Sequence, residues 1–344
     1  MLDFSITGDM PVKHIVSAIT LAHAANCPVI LRRDTHVPLP KNLPSHFCIG
    51  LQTSGTTGKP KLVFHSLDKL LPVKALAADT RWLLCYHPMS FAGLQVILQA
   101  LFSGALLISA ANSSAAEKAA LAADARVNAM GITPSLFRAM TLSWQDNLPP
   151  LTQLTFGGEI CDDATLALAS KMFPAARIRH IYATTEAGVV FSVRDGQAGF
   201  PASWLGHPLA GGKILSIVDD ILWVSHGGIT LNTGDRVSLQ GDRIVFNGRN
   251  DNIANVGGVK VDLEALEQTI IALASVTDAR VFARSNPITG HLICLEYLAP
   301  NESDASAEIA AFCQGLVPEM RPRIIRRVTE ITLTDAGKKQ RIGQ

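Results

Sequence analysis

Short apolar runs and longer amphipathic stretches take turns along most of this chain. The runs at 29–31, 47–51, 62–64, 82–86, 105–109, 127–130, 154–156 and 178–182 have the length and bounding residues of buried strands. Between them, apolar positions recur at helical spacing over 12–25, 89–102, 115–123, 134–140 and 162–173, with Pro134 at a first turn. This alternation predicts an α/β fold with a largely parallel core sheet. From Pro201 to Phe246 the pattern changes. The stretches 214–218, 221–225, 237–239 and 244–246 alternate like a small antiparallel unit with Gly-rich turns. After Asn250 come a Gly257-Gly258 hairpin, helices over 262–274 and 305–316, and strands over 279–283 and 292–297. The expectation is a large domain over 1–249 and a small α+β domain over 250–344.

One stretch tests that reading. Residues 88–111 carry no charge and could span a bilayer by length alone. Gln95, Gln99, Gly93 and the Ser103-Gly104 break make it a buried helix followed by a core strand, so no membrane span is expected. Across the 344 residues, 48% are hydrophobic and 17% charged, which predicts a sizeable core rather than disorder. A net charge of +1 without long charged runs argues against nucleic acid or an anionic membrane as main partner. The six cysteines are scattered, with no C-x-x-C pair, as expected for reduced thiols in a cytoplasmic protein. Asp3 and Asp9 stand where a signal peptide would be basic or apolar, so none is expected.

The densest chemistry lies in Thr53-Ser54-Gly55-Thr56-Thr57-Gly58-Lys59-Pro60-Lys61, between two strand-like runs. Glycines let the backbone turn tightly and bring N–H groups to a ligand; hydroxyls and lysines add donors and charge. That is the composition of a phosphate-binding loop. It is not a Walker A loop, because only Thr56 and Thr57 separate Gly55 from Gly58, and Pro60 follows Lys59. Read alone it could be a polar hairpin turn. Further segments follow in order: Phe156-Gly157-Gly158-Glu159, Tyr182-Ala183-Thr184-Thr185-Glu186, Asn232-Thr233-Gly234-Asp235, Gly248-Arg249-Asn250-Asp251 and Thr334-Asp335-Ala336-Gly337-Lys338. The first two close predicted strands, where ligands collect in open α/β sheets. Each alone reads as turn chemistry, and a terminal Gly-Lys-Lys reads as a solvated tail.

Together and in this order they resemble the adenylate-forming (AMP-binding) superfamily of acyl- and aryl-CoA synthetases, peptide-synthetase adenylation domains and luciferases. The likeness runs from Gly50 to Arg341, and within the superfamily it is greatest to short aryl-acid ligases such as the o-succinylbenzoate-CoA type. It implies that Thr53, Ser54, Gly55, Thr56, Thr57, Gly58 and Lys59 hold the phosphates of ATP. Gly157, Gly158 and Glu159 would line the adenine pocket, with Tyr182 stacked on the base. Asp235 would accept the ribose hydroxyls and Arg249 would reach the ribose. Thr185 would touch the α-phosphate, Glu186 would bind Mg²⁺, and Lys338 would bridge the substrate carboxylate and the α-phosphate. Asp251 would be the hinge of a mobile small domain. Gly258 and Lys260 would border the channel for CoA or for the phosphopantetheine of a carrier protein. His87, Phe91 and Thr133 are candidates for the acyl pocket.

The chain departs from the family in places. The phosphate loop begins at Thr53, so an N-terminally shortened large domain is expected, with exposed apolar surface that would favour a homodimer. Ala183 stands where Gly is usual, Lys260 where Arg is frequent, and Thr332 where Pro is common. Amino-acid-selecting members place an Asp after the Phe aligned with Phe91; here Ala92 follows, and no acidic residue lies between Asp79 and Glu117. A buried substrate ammonium would lack a counter-ion, so a small-molecule carboxylic acid without an α-amino group, aryl or medium acyl, is expected. Two alternatives stay open: acyl transfer to a carrier protein, to which Arg321, Arg323, Arg326 and Arg327 could offer a basic face, and a non-catalytic nucleotide-binding scaffold.

Overall fold

The computed structural model describes residues 5–7, 10–33, 38–40, 42–52, 62–71, 79–144, 147–333, 338–339 and 341. The expected phosphate loop, Thr53 to Lys59, lies outside the described residues, as does the 334–337 segment before Lys338. Two compact units emerge. One comprises Met1–Ile132, Trp144–Gly158 and Ser170–Arg194; the other comprises Thr133–Ser143, Glu159–Ala169 and Asp195–Gln344.

The first unit holds two sheets. In the smaller, β1 (Ser5–Thr7), β2 (Val29–Arg32), β3 (Ile49–Gln52) and β4 (Leu62–His65) lie side by side in that order. Helix α1 (Val12–Ala24) joins β1 to β2, and the short α2 (Leu67–Leu70) follows β4. The larger sheet contains β5 (Arg81–Leu84), β6 (Leu106–Ser109), β7 (Ala129–Ile132), β8 (Gln153–Gly157), β9 (Arg177–Thr184) and β10 (Gly188–Val193). Their order is β10-β9-β8-β7-β5-β6, parallel throughout except for the antiparallel β9–β10 pair. All four residues of β7 are buried, as a central parallel strand requires.

Helices α3 (Phe91–Ser103), α4 (Ala115–Asp124), α5 (Pro134–Trp144) and α6 (Asp163–Met172) connect these strands. Local chemistry sets their ends. Ser90 accepts the Gly93 N–H at the start of α3, and Gly104 ends it in the left-handed conformation. Ser114 and Glu117 form a reciprocal capping box at α4. Ile15 and Ile19 of α1, Leu31 and Leu51 of the small sheet, and Trp82, Leu94 and Ile97 share one apolar core.

The second unit contains two further sheets. Strands β11 (Phe200–Pro201), β12 (Ile214–Val218), β13 (Ile221–His226), β14 (Ile229–Gln240) and β15 (Arg243–Arg249) form an antiparallel sheet in the order β11-β15-β14-β13-β12. Then β16 (Ile253–Val256) and β17 (Val259–Asp262) make a hairpin, followed by α7 (Leu263–Ile271), β18 (Asp278–Asn286), β19 (Gly290–Leu298), α8 (Glu302–Gln314) and β20 (Ile324–Arg327). Val261, Leu266, Ile270, Val281, Leu295 and Ile309 pack into a separate core there. The mixed α/β architecture agrees with the sequence pattern, including the parallel sheet, the antiparallel unit after Pro201 and the glycine hairpin. Among the described residues no helix is long and apolar enough to cross a membrane; the uncharged stretch folds as α3 and β6.

Candidate active site

The larger sheet reverses its strand order at β5, which lies between β6 and β7. Crevices at the carboxyl ends of strands beside such a reversal are where open α/β sheets bind ligands. Tyr86, just past β5, reaches across that end. Its ring lies 3.4 Å from the position of a Cβ on Gly131, and its hydroxyl donates to the Gly157 carbonyl at 3.2 Å. His87 turns the other way. Its Nδ1 accepts the Met89 N–H at 3.1 Å, and it lines a pocket of about 360 Å³ with Met10, Met89 and Asn112. Neither Phe91 nor Gly157 lines that pocket.

Between β9 and β10 the chain makes a tight turn. Thr184 Oγ1 accepts the Ala187 N–H at 2.9 Å, which leaves Thr185 and the exposed Glu186 at the tip. Phe91 packs beneath it: a Cβ on Gly188 would meet the ring at 3.8 Å. Tyr182, the expected adenine-stacking residue, has one ring face stacked on Phe191, with centroids 5.1 Å apart. His65 at the end of β4 is 3% exposed, hydrogen-bonds to the Thr185 backbone and lies edge-on to Phe91. Burial, then Lys69, pulls its imidazole below the usual value, against the Thr185 bond and Glu186. The sequence analysis passed over His65. Its placement three residues beyond Leu62, on the strand leaving the phosphate loop, was the available signal.

In the second unit, several expected nucleotide-site residues converge. Asp235 and Arg249 are direct neighbours across β14 and β15, and Arg249 donates to the Asp235 carboxylate at 2.8 Å. Thr233 shapes the approach: its hydroxyl donates to the Leu222 carbonyl at 2.7 Å and accepts the Asp235 N–H at 3.1 Å. Glu159 uses one carboxylate oxygen to accept the Ser135 N–H of α5, at 3.1 Å, and the other to accept the Lys339 N–H, at 3.2 Å. Thr133 is fully buried, and its hydroxyl accepts the Leu136 N–H as a helix cap.

Lys338 stands within electrostatic reach of Glu159, Arg249, Asp235 and Glu264. Part of the side chain meets solvent, yet the surrounding protein is crowded enough for desolvation to lower the ammonium below its usual value. Glu159 opposes that shift, Arg249 adds to it, and Asp235 and Glu264 oppose it again. Gly258 and Lys260 sit at the β16–β17 hairpin, where the Gly258 N–H donates to Asn255 Oδ1 at 2.9 Å and Lys260 is exposed. Asp251 lies in the 3-10 turn Asn250–Asn252 between β15 and β16.

Lys339 is no part of a solvated tail. Lys339 is buried, and its ammonium meets Asp278 at 2.7 Å, the Ala279 carbonyl at 2.6 Å and Glu267 at 3.3 Å. Arg138 of α5 donates from Nε to the same Asp278 oxygen at 3.1 Å, and from Nη1 to Asp162 at 3.2 Å and Thr165 at 2.6 Å. Arg341 pairs with Glu267 at 2.6 Å. Burial works against the Asp278 carboxylate, but Arg138 and Lys339 outweigh it and hold the carboxyl below the usual range. The sequence showed these charges scattered over two hundred residues, with no local pattern to join them.

Comparison with known proteins shows the family and the fold. A family model described as "AMP-binding enzyme" matches residues 9–222. The chain is 25% identical to tyrocidine synthase 3 of Brevibacillus parabrevis over 87% of its own length, but spans only 5% of that relative. Among solved structures, a variant of E. coli MenE with bound OSB-AMS superposes with a TM-score of 0.70 at 17% identity, covering 95% of this chain and 84% of MenE. The anthranilate CoA ligase AuaEII, in complex with anthranoyl-AMP, gives 0.66 at 16% identity, covering 96% and 80%. The likeness to these structures is one of fold; with the match across residues 9–222, the chain belongs to the AMP-binding enzyme family.

Proposed function

We propose that this protein activates a carboxylic acid with ATP, forming an enzyme-held acyl-AMP and releasing pyrophosphate, and then passes the acyl group to the thiol of CoA. The observation that carries the reading is the cluster of Lys338, Glu159, Asp235 and Arg249 in one unit of a chain that belongs to the AMP-binding enzyme family. Carboxylate attack on the α-phosphorus brings two anions together. A Lys338 ammonium there would offset their repulsion and the charge that builds on phosphorus. The Asp235–Arg249 pair supplies acceptor and donor groups of the kind a ribose needs. Thr185 and Glu186 project from the β9–β10 turn, where a phosphate and its metal ion would lie.

Mg²⁺ fits Glu186 by donor chemistry. A single exposed carboxylate leaves coordination positions for water and phosphate oxygens, and the described residues contain no cluster of three or more His, Cys, Asp or Glu that would cage the ion. Bound there, the ion would neutralise phosphate charge. For the acid, the absence of a carboxylate after Phe91 argues against an amino acid. An aryl acid is the closest fit, and AuaEII, of similar fold, is an anthranilate ligase.

A second reading replaces CoA by the phosphopantetheine arm of a carrier protein. The likeness to tyrocidine synthase 3 favours it, since the chain matches one short stretch of a much longer synthase. The basic run gives it little weight. Arg321 donates to the Leu316 and Gln314 carbonyls, Arg323 to Pro318, and Arg327 to Ala299 and Glu302, so these guanidiniums are occupied locally.

The test measures AMP and pyrophosphate release from ATP·Mg²⁺ across a panel of aryl, fatty and amino acids, with and without CoA, using hydroxylamine to trap acyl-AMP. AMP plus a CoA-dependent thioester is the expected result. Hydroxamate without a CoA thioester would transfer the reading to a carrier protein. ADP as product, or no turnover with any acid, would end it.

A further inference from the structure

The tail that carries Lys338 is pinned more firmly than the proposed catalysis alone requires. Lys339 makes three contacts through its ammonium and one through its N–H, and Arg341 adds an ion pair and a carbonyl bonded to the Ala283 N–H at 2.8 Å. Most of these partners, namely Glu267, Asp278, Ala279 and Ala283, belong to α7 and β18. Two links differ. Asp278 also takes Arg138, and the Lys339 N–H goes to Glu159; Arg138 and Glu159 precede the 3-10 turn at Asn250–Asn252 by a hundred residues or so of chain.

The ion pairs are arranged so that these two links can break without stranding a charge. Without Asp278, Arg138 keeps Asp162 and Thr165. Without Arg138, Asp278 keeps Lys339. Glu159 without Lys339 keeps the Ser135 N–H. A buried ion left alone is strongly destabilising, and every group here retains a partner.

We propose that Arg138 and Glu159 are positioning residues that clasp the block carrying Asp278 and Lys339 and so present Lys338 for acid activation. The inference rests on the function proposed above. Arg138 bridges Asp278 and Asp162, fixing the start of β18. The Asp278–Lys339 bond carries that fixation to the residue next to Lys338.

The two half-reactions separate this role from a merely structural one. Pyrophosphate–ATP exchange, with whichever panel acid exchanges fastest, reads acid activation. Consumption of isolated acyl-AMP by CoA or pantetheine reads the second step. Arg138→Met is expected to slow exchange by about a hundredfold, the scale of an ångström's misplacement, and to leave the second step unchanged or faster. Arg138→Lys, which keeps the charge beside Asp278, is expected to restore most of the exchange. Equal losses in both steps, or undiminished exchange in Arg138→Met, would overturn the clasp. Hydrogen exchange on the same proteins provides a readout independent of the acid: the Lys339 amide should lose protection in Arg138→Met while the Val281 amide keeps it. Unchanged protection at Lys339 would overturn the clasp even if wild type activated no acid, whereas that inactivity by itself would overturn only the proposed function.

Discussion

At the scale of single residues, the surroundings of each group decide what it can do. Crowding lowers the Lys338 ammonium, so the proton that would hold charge between two anions leaves at lower pH than from an ordinary lysine. The basic limb of kcat/KM for acid activation, which reports the uncomplexed enzyme, is therefore expected below 10.5, the ordinary lysine value. Lys338→Met should lower pyrophosphate exchange by roughly a hundredfold or more and abolish that limb. An unshifted limb in the variant would assign it elsewhere. The cysteines follow the same logic. Burial pushes up the thiols of Cys48, Cys161, Cys294 and Cys313, and that of Cys85 up to about 12; Cys27 alone is partly accessible. A disulfide reagent should modify one thiol quickly in the native protein and none in Cys27→Ala. Two or more fast thiols would show that the buried set is more open than its packing indicates.

Elements respond to local rules that were readable in advance and to pairing that was not. The box at Ser114 and Glu117 has a Ser-x-x-Glu spacing before an alanine-rich run, a signal the sequence analysis passed over; Ser114→Ala should cost about 1 kcal/mol in denaturant unfolding. Gly93 is a stricter case. A Cβ there would fall 2.1 Å from the His87 carbonyl, which itself accepts the Ser90 hydroxyl at 2.8 Å. Gly93→Ala must displace that loop and is expected to destabilise by about 1–3 kcal/mol, with Phe91 moving along with it; an unperturbed Tm would contradict the close approach. Strand β20 escaped the sequence analysis altogether. Ile324 and Ile325 lie among four arginines that read as a solvated basic face, and only parallel pairing with Cys294 and Leu295 of β19 makes them a strand.

Across the molecule, the buried carboxylates link stability to pH. Glu264 is desolvated strongly enough to raise its pKa above 4.5, although Arg341 and Asn252 favour its charge. Its folded form therefore holds a proton that the unfolded form has lost. The stability this contributes is complete below the unfolded value and drains away as pH rises through the raised one. Glu264→Gln cannot lose that proton, so its stability relative to wild type should improve as pH climbs from 4.5 upward. A difference that stays flat would mean that Arg341 and Asn252 compensate the burial fully. Asp278 carries the opposite sign: held below 3.8 by Arg138 and Lys339 against burial, it contributes stability that disappears only on acidification through its depressed value.

Much of this protein was determined by its sequence. Apolar period and turn chemistry placed the parallel sheet, the antiparallel unit after Pro201 and the α+β end of the chain, because strand and helix formation depend on neighbours within a few residues. The order of motifs also pointed to the AMP-binding family, since each motif is a short backbone device that keeps its composition wherever it folds. Tertiary structure alone decided which charges meet. That Asp235 faces Arg249 depends on the register of β14 and β15. That Lys339 is buried, and shares Asp278 with Arg138, depends on bringing together positions up to two hundred residues apart. These ion pairs follow no period along the chain; they form where packing removes water and leaves a charge no partner but the one the fold supplies.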